Sequence, residues 1–214
     1  MSQSVKRKYD STRRREQAAG TRSDILRTAD KHFRARGYAG TTIGAVAEGA
    51  QVSVETVYKT FRNKPGLLKA VIDVAIVGDE AALPMLERDL VRRIEGEPDA
   101  RRKLQTYGRH LAASAPRSVP LELLVRQAAA SDPAVGDLAR RLDEERLVGM
   151  SRFAEHLYAG RHLAPGVSRA EARDLLWTYI SAELYELLVV KRGWSVKRYA
   201  RWVIDQITTA IVRR

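Results

Sequence analysis

The chain has 214 residues, of which 44% are hydrophobic, enough for one sizeable core or two small ones. It contains no cysteine, which excludes disulfide bonds and thiolate metal sites and fits a reducing, cytoplasmic location. No apolar run approaches the roughly 18 residues that span a bilayer. The basic N-terminus has no apolar segment after it, so neither membrane insertion nor secretion is predicted.

The net charge of +12 is concentrated in the first third of the chain. Residues 1–64 hold 14 Lys and Arg against 6 Asp and Glu, whereas the rest of the chain holds 24 against 20. Such a basic region attracts polyanions, because binding releases the counterions condensed on a phosphate backbone. Charge alone leaves duplex DNA, RNA and anionic lipid as possible partners.

Residues 1–20 are polar, basic and poor in large apolar side chains, which predicts a flexible arm. Its cations either track phosphates and enter a minor groove or form a solvated tail that only aids solubility. A helix is predicted to begin at Thr21 and to stop at Gly37. Its buried stripe supports the two helices that follow, and consists of Ile25, Leu26, Ala29 and Phe33.

Two short helices are predicted between Thr41 and Lys64, because apolar residues recur there at helical spacing on both sides of a tight connection. Thr42 and Ser53 precede the two runs, where a hydroxyl accepts from the free amides of a first turn. The second helix leaves a small polar surface that suits a DNA major groove, formed by Val54, Glu55, Thr56, Tyr58, Lys59 and Thr60. The spacing alone fits an ordinary helical hairpin equally well.

The segment resembles the DNA-binding signature of the TetR family of bacterial transcriptional regulators. The matching residues are Thr41-Thr42-Ile43, Val46-Ala47-Glu48, Val52-Ser53, Thr56-Val57-Tyr58-Lys59, Phe61, Asn63-Lys64 and Leu67-Leu68, within a stretch from about Thr21 to Val71. The chain departs from the family at Gly44 and Ala45, where polar or charged residues are usual. It departs also at Gln51, which occupies the place of a turn glycine, so a positive φ is less comfortable there.

The resemblance implies particular roles for the exposed residues. Thr56, Lys59 and Thr60 are expected to face base edges, with Val54 against a thymine methyl group. Glu55 either accepts from a cytosine amine or favours the helix N-terminus through the dipole. Phosphate contacts that set the register are expected from Thr42, Ser53, Tyr58 and Lys64.

The remainder of the chain is predicted to form helices separated by Pro and Gly, with Asn63 capping the first of them and no alternating strand pattern. The predicted runs are Pro84–Ile94, Pro98–Ala115, Val119–Ala130, Pro133–Ala159, Arg169–Arg192 and Val196–Val212. The predicted fold is all-α, with a three-helix DNA-binding domain carrying a helix-turn-helix over 21–66. A larger helical bundle over 67–214 follows, for effector binding and dimerisation.

The last two helices are strongly apolar, so they either bury everything within one chain or present a face to a second copy. TetR-like proteins commonly dimerise through these helices, and a two-fold dimer matches a palindromic operator. The predicted interface consists of Leu176, Ile180, Leu184, Leu187, Tyr199, Trp202, Val203 and Ile207.

The second domain also carries aromatic residues with a few polar tips, which suits either plain core packing or an apolar cavity for a small molecule. The resemblance implies an effector pocket, assigned to Tyr107, His110, Leu111, Leu124, Arg126, Met150, Phe153, Trp177 and Tyr185. Arg126 and His110 suggest an anionic or polar head group on the ligand.

No catalytic constellation, metal-ligand spacing or nucleotide loop is recognisable in the sequence, so neither enzymatic activity nor a cofactor is predicted. The resulting hypothesis is a homodimeric regulator, a repressor, that binds a palindromic DNA operator and is released by a small-molecule effector. The alternative is a helical small-molecule-binding protein or enzyme whose basic N-terminus is incidental. RNA or architectural binding is disfavoured, because no aromatic stacking platform or wedge accompanies the cations.

Overall fold

The computed structural model describes residues 3–78 and 89–213, with side chains described from Glu16 onward. These residues form ten α-helices and one π-helical turn, which confirms the all-α prediction. In chain order they are α1 (Gln3–Gly40), α2 (Ile43–Gly49), α3 (Val54–Phe61), α4 (Lys64–Val77), α5 (Asp89–Gly96), α6 (Ala100–Ala129), α7 (Pro133–Ala159), α8 (Arg169–Tyr179), α9 (Ala182–Tyr185), the π-helical turn (Glu186–Lys191) and α10 (Val196–Ile211). Pro84, predicted to begin a helix, lies outside the described residues.

The chain divides into two compact units, Met1–Val74 and Ala75–Arg214. The sequence placed the domain boundary between residues 66 and 67, about two helical turns earlier. The reason for the difference is burial, because Leu67, Leu68 and Ile72 on the first turns of α4 are fully buried. These residues fall within the first unit, which therefore extends further along α4 than the sequence suggested.

Helix α1 begins at Gln3, although the sequence predicted a flexible arm over 1–20 and a helix start at Thr21. The segment before Thr21 contains no proline and is rich in Lys and Arg, which are good helix formers. Helical geometry breaks at Gly37, with φ 67° and ψ −177°, at the residue where the sequence placed the stop. Only glycine adopts such a backbone conformation without strain.

The core of the first unit is built from the predicted apolar stripes. Ile25 and Phe33 of α1 are fully buried, as are Val46 of α2 and Val57 of α3. Burial of this kind stabilises the short helices α2 and α3, which are too short to be stable on their own. The helix-turn-helix is therefore held in place by tertiary packing on its apolar side.

The second unit is organised around α6, which packs against α7 and α10. The sequence predicted a break between Pro116 and Pro120, but α6 continues through both prolines. Each proline removes one backbone hydrogen bond. Both prolines are exposed and lie four residues apart on one face of α6, where water can reach the freed carbonyl groups.

The predicted helix Arg169–Arg192 is interrupted in the structure. Helix α8 ends at Tyr179, Ser181 caps α9 by accepting from the Leu184 amide, and the π-helical turn follows directly. A serine that bonds to the backbone three residues ahead favours a new helix start over continuation of the old helix. In the described part of the chain, no helix combines the length and apolarity needed to cross a membrane.

Lys103 of α6 is only 1% exposed and is the one lysine among the buried polar residues of the described chain. Its ammonium group donates to the carbonyls of Ile94 (2.8 Å) and Glu95 (3.2 Å) and lies 2.7 Å from Nε2 of His156. It thus satisfies carbonyl groups at the C-terminal end of α5, where a positive charge also suits the helix dipole.

Candidate functional site

The connection between α2 and α3 is a tight turn closed by backbone hydrogen bonds. The amide of Val52 donates to the Ala47 carbonyl, and that of Gln51 to the Glu48 carbonyl, both at 3.0 Å. This arrangement needs a left-handed residue after the helix end, and Gln51 supplies it with φ 56°. The strain that the sequence predicted at Gln51 is therefore present.

Helix α3 presents a polar face to solvent. Tyr58 is 49% exposed and Val54 38% exposed, while Val57 is fully buried behind them. Glu55, Lys59 and Thr60 are exposed as well, and Thr56 is half-buried. The face that the sequence assigned to DNA is thus the outward face of the helix.

The hydroxyl groups of this face are partly used by the backbone. Thr42 and Ser53 accept from the amides of Ala45 (3.1 Å) and Thr56 (3.2 Å), as predicted for helix caps. The Ser53 and Thr56 hydroxyls lie 3.1 Å apart, and Thr60 donates to the Thr56 carbonyl at 2.7 Å. These bonds fix the side-chain rotamers while leaving oxygen lone pairs directed outward.

Glu55 is exposed in the first turn of α3. Its own backbone amide and the Ser53 hydroxyl hydrogen-bond to the carboxylate and lower its pKa. A carboxylate in the first turn of a helix is also favoured by the dipole. Glu55 is therefore suited to the helix N-terminus, and its contact with a cytosine amine stays a prediction.

Lys64, predicted to bind a phosphate, contacts its own chain in the structure. Its ammonium group donates to the carbonyls of Tyr38 (2.8 Å) and Thr41 (2.9 Å) and lies 4.0 Å from the centroid of the Tyr38 ring. The side chain is half-buried. Lys64 thus ties the start of α4 to the end of α1 through charge-assisted hydrogen bonds, and its contact with a phosphate stays a prediction.

The junction between α3 and α4 is a strained turn. The amide of Asn63 donates to the Phe61 carbonyl at 2.8 Å across Arg62, whose φ is 69°. The side-chain oxygen of Asn63 then caps α4 by accepting from the Gly66 amide at 2.7 Å. A Cβ atom on Gly66 would overlap the Phe61 carbonyl oxygen, so only glycine fits there.

Arg22 is a candidate that the sequence reasoning missed. It was placed on the solvent side of α1, and in the structure its guanidinium lies 4.7 Å from the centroid of the Phe61 ring. An exposed cation held beside the end of α3 is suited to a phosphate. Helical spacing cannot reveal this neighbour, since Arg22 and Phe61 are far apart in sequence.

The second unit contains the predicted pocket residues, most of which share one core cluster. Leu111, Met150, Phe153 and Tyr185 are buried in it, and Tyr107 and Trp177 pack against it. The Tyr107 ring lies 5.7 Å from that of Phe153 and 6.3 Å from that of His110.

Leu124 stands apart from the other predicted pocket residues. It is half-buried but lies outside the core cluster, whereas its neighbour Leu123 packs against that cluster. The place of Leu124 in a pocket stays a prediction.

A network of charged side chains, not anticipated from the sequence, crosses this region. Arg126 pairs with Asp143 through two bonds of 2.9 and 2.6 Å and reaches Glu183 at 3.1 Å. Arg146 reaches the same Asp143 at 3.1 Å and lies 4.6 Å from the centroid of the Trp177 ring. Two carboxylates of the chain thus pair with Arg126, and its contact with an anionic or polar head group stays a prediction.

Glu122 lies one helical turn before Arg126 and is enclosed by the protein. Burial raises the pKa of its carboxyl group, against the opposing effects of a hydrogen bond from Ser118 and the charges of Arg146 and Arg126. Burial also raises the pKa of the Tyr107 and Tyr199 phenols. Burial and the charge of Arg117 lower the pKa of His110, so this imidazole is neutral. The sequence signal that could have revealed this charged network is the presence of charged residues on the otherwise apolar faces of α6 and α7.

Comparison with known proteins bears on the first unit. The profile described as "Bacterial regulatory proteins, tetR family" matches residues 25–71. The chain is 39% identical over 61 residues to the HTH-type transcriptional regulator TtgR of Pseudomonas putida. Residues 25–71 are therefore similar to the N-terminal domain of TetR-family regulators. This alignment covers 28% of the chain and spans 29% of the length of TtgR.

Solved structures show that the similarity in fold extends beyond residues 25–71. NalD of Pseudomonas aeruginosa, the secondary repressor of the MexAB-OprM multidrug efflux pump, superposes with a TM-score of 0.69 at 18% identity. That alignment covers 92% of this chain and 98% of NalD. The regulator FadR of Bacillus subtilis, solved with stearoyl-CoA, gives a TM-score of 0.66 at 18% identity, covering 88% of this chain and 98% of FadR. Both units thus share the fold of these regulators.

The predicted dimer interface divides into two groups. Leu176, Tyr199, Val203 and Ile207 are at most 1% exposed and belong to the protomer's own core, so they are not available to a partner. Leu187 is 49% exposed, and Ile180, Leu184 and Trp202 are half-buried. Trp202 packs edge-on against Tyr179 and Trp194 of the same chain. For this TetR-like fold, Leu187 remains the most accessible of the predicted interface residues.

Proposed function

We propose that the protein is a TetR-like transcriptional regulator, a repressor, that binds a palindromic operator as a homodimer and is released by a small-molecule effector. The observation that supports it most directly is the outward face of α3. A short helix with a buried apolar side, fixed caps and an exposed polar side has the dimensions to enter a major groove.

Within this proposal the exposed residues of α3 divide by chemistry. Thr56, Lys59 and Thr60 reach base edges. Val54 contacts a thymine methyl group. Tyr58 and the hydroxyls of Thr42 and Ser53 bind phosphates, which set the register without reading sequence. Arg22 belongs to this second group. Lys64 stabilises the domain through its hydrogen bonds to the carbonyls of Tyr38 and Thr41.

The homodimer is supported by an apolar surface on the second unit. Leu187 is 49% exposed and Val190 is 63% exposed, three residues apart on the π-helical turn. A second copy related by two-fold symmetry would cover this surface. Operator half-sites read by the two α3 helices of such a dimer would lie about 34–36 Å apart, one turn of B-DNA.

Effector release is supported by the enclosed polar and aromatic groups of the second unit. A ligand there releases DNA only if it binds the DNA-free state of the dimer more tightly than the DNA-bound state. Stearoyl-CoA in FadR shows that a related fold holds a small molecule, which makes the same arrangement reasonable for this chain.

Selection of bound fragments from random duplex DNA tests the central part of the proposal. We expect enrichment of one palindrome, with half-sites about ten base pairs apart centre to centre. Lys59→Ala should change the enriched sequence or abolish enrichment, whereas Lys197→Ala, at an exposed position on α10, should leave it unchanged. Enrichment of no sequence by the wild-type protein would refute operator binding.

Sedimentation of two variants tests the dimer separately. Leu187→Asp should give monomers and weaken operator binding strongly, because each monomer contacts a single half-site. Val54→Asp, on the DNA-binding face of α3, should abolish DNA binding and leave the dimer intact. A Leu187→Asp variant that sediments as a dimer would place the interface elsewhere.

A further inference from the structure

A groove of about 410 Å³ lies on the second unit, where the chain passes from α5 to α6. This volume falls within the range of roughly 300–1,000 Å³ that small-molecule sites occupy. The residues that line this α5–α6 groove are Arg93, Gly96, Glu97, Pro98, Thr106 and Arg109. None of them belongs to the effector pocket predicted from the sequence, so the groove is a separate feature of the second unit.

The two helices that form the groove are fixed to each other by a buried lysine. Lys103 on α6 donates to the carbonyls of Ile94 (2.8 Å) and Glu95 (3.2 Å) at the end of α5. Arg93 directly precedes these two residues, and the lining residues of α6 follow Lys103 by about one and two helical turns. Helix packing therefore sets the separation of the side chains on the two sides of the groove.

The acidic side chains near the groove are engaged by the chain itself. Glu95 accepts from the Arg152 guanidinium at 2.7 Å. Asp99 caps α6 by accepting from the Arg102 amide at 2.8 Å, and Glu97 accepts from the Asp99 amide at 3.1 Å. The first turn of α6 is thus already capped, and any further anion must be bound by side chains.

Two exposed arginines of the groove lack a carboxylate partner. Within the described chain, no hydrogen bond or ion pair engages the Arg93 guanidinium. In the same part of the chain, Arg109 donates to neutral oxygens, the Thr106 hydroxyl at 2.9 Å and the Gln105 carbonyl at 3.4 Å. Residues 92–109 hold six Lys and Arg against three Asp and Glu, so the surroundings of the groove attract anions.

The Thr106 hydroxyl is oriented by one of these arginines. Because its oxygen accepts from Arg109, its own hydrogen is left to donate to another acceptor. Among the described residues, no acceptor is bonded to that hydrogen. Two guanidinium groups and one hydroxyl offer more donors than the two oxygens of a carboxylate can use. They suit the three terminal oxygens of a phosphate monoester.

We propose that the α5–α6 groove binds the phosphate group of a small phosphate ester, with Arg93, Arg109 and Thr106 as the donors. The groove has room for more than a phosphate ion, since a water molecule takes about 30 Å³ in the liquid and phosphate has only a few heavy atoms. The organic part of the ester occupies the remaining space. This site goes beyond the proposed function, because neither DNA binding nor the predicted effector pocket uses its residues.

Calorimetry on the full chain at low ionic strength tests the preference for phosphate. The probes are AMP against adenosine and glucose 6-phosphate against glucose, with inorganic phosphate as a separate arm. We expect at least one ester to bind about tenfold or more tightly than its unphosphorylated partner. Equal binding within both pairs, or no binding by any probe, would overturn the proposal. Inorganic phosphate that binds as tightly as the better ester would contradict a role for the organic part.

Matched variants assign the binding to the groove. Arg93→Gln and Arg109→Gln should each weaken binding of the ester by about fivefold or more, since each removes a charged donor. Arg101→Gln removes an exposed cation of α6 outside the lining, and Lys59→Gln removes one from the DNA-binding face. Both controls should leave the affinity within about twofold. Unchanged affinity when both groove arginines are replaced together would place the phosphate elsewhere and refute the site.

A variant with the opposite expected effect separates binding in the groove from a disturbed fold. Glu97 is the one carboxylate among the lining residues, so its charge opposes an anion there. Glu97→Gln keeps an oxygen that can accept from the Asp99 amide and removes that charge. We expect the ester to bind this variant about twofold or more tightly. Unchanged or weaker binding would contradict the placement of the phosphate beside Glu97.

The outcome is separable from that of the proposed function. Binding of the ester is measured without DNA, and operator selection is carried out without a phosphate ester. A chain that binds the ester but selects no operator would keep this site and lose the proposed function. A chain that selects an operator but prefers neither ester would keep the proposed function and lose this site.

Discussion

The two units of the chain place polar side chains in opposite settings. On α3 the polar groups face water, and their hydrogen bonds to the backbone reach atoms three or four residues away. Around Arg126 the charged groups are only partly exposed, and their partners come from other helices. Local bonds make a surface whose geometry is nearly independent of the rest of the fold. Long-range bonds make a site that exists only when the whole bundle has packed.

The largest expected effect comes from the α3–α4 junction. Gly66→Ala would drive a methyl group into the Phe61 carbonyl oxygen, a contact that requires the backbone to move. We expect a loss of about 3 kcal/mol in the free energy of unfolding of the first unit, at the upper end for overpacking. Urea unfolding checks the value.

Gly44→Ala is the matched control for that variant. Gly44 lies inside α2 with nothing within 4 Å of an added Cβ atom, and alanine favours helix by about 1 kcal/mol over glycine. This variant should be as stable as the wild type or more so. Equal behaviour of the two variants would show that the junction is not tightly packed.

The next effect distinguishes Lys64, which stabilises the fold, from Lys59, which is proposed to contact bases. Lys64→Met removes the donor to the Tyr38 and Thr41 carbonyls, and we expect a loss of roughly 2 kcal/mol in stability, as for charge-assisted hydrogen bonds. Lys59→Met should leave stability unchanged. Thermal unfolding of both variants gives the comparison.

The salt dependence of DNA binding supplies the second half of that test. Lys59→Met should reduce the slope of the logarithm of affinity against that of salt concentration if Lys59 lies near phosphates, by about one for each lost contact. A reduced slope for Lys64→Met without loss of stability would restore Lys64 to the phosphate-binding group and contradict the structural role.

A smaller effect concerns the dependence of stability on pH through the carboxyl group of Glu122. Because the pKa of Glu122 is raised in the folded protein from its ordinary 4.5, the folded state binds more protons than the unfolded state above that pH. Stability should therefore fall as pH rises from about 4.5 through the folded pKa, with a slope of at most about 1.4 kcal/mol per pH unit. Urea unfolding at several pH values should show this decline for the wild type, and a shallower one for Glu122→Gln.

The smallest effect is expected at the turn of the helix-turn-helix. Gln51 has φ 56°, and replacing it with glycine relieves a left-handed conformation at the cost of greater freedom in the unfolded chain. Gln51→Gly should raise the stability of the first unit by less than about 1 kcal/mol. A loss of stability on this change would show that the glutamine side chain makes a contribution of its own.

The sequence was sufficient for the first unit because its signals are local. Thr42, Ser53 and Asn63 were identified as helix caps from their positions, and each accepts the expected amide. The outward face of α3 followed from helical spacing. The hydrogen bonds of Lys64 could not be predicted, since its carbonyl partners lie more than 20 residues earlier in the chain.

The second unit was predictable only in outline. The spacing of apolar residues located α7 and α10 but could not show which of their faces meets the core and which remains outside. Tyr199 and Val203 therefore appeared to be interface residues, although they are internal. The pairing of Arg126 with Asp143 and Glu183 joins three helices, and no local pattern encodes such a meeting.

Lys103 gives the second unit a point of sensitivity to acid. Its ammonium group is held against the His156 ring, so that imidazole must accept a hydrogen bond and remain uncharged. Burial and the nearby lysine lower the pKa of His156, which means that stability is lost as the pH falls below the ordinary value near 6.5. Once His156 is charged, two cations repel each other where α5, α6 and α7 meet, beside the carbonyl groups of Ile94 and Glu95. Acidification would thus weaken the attachment of α5 to the bundle.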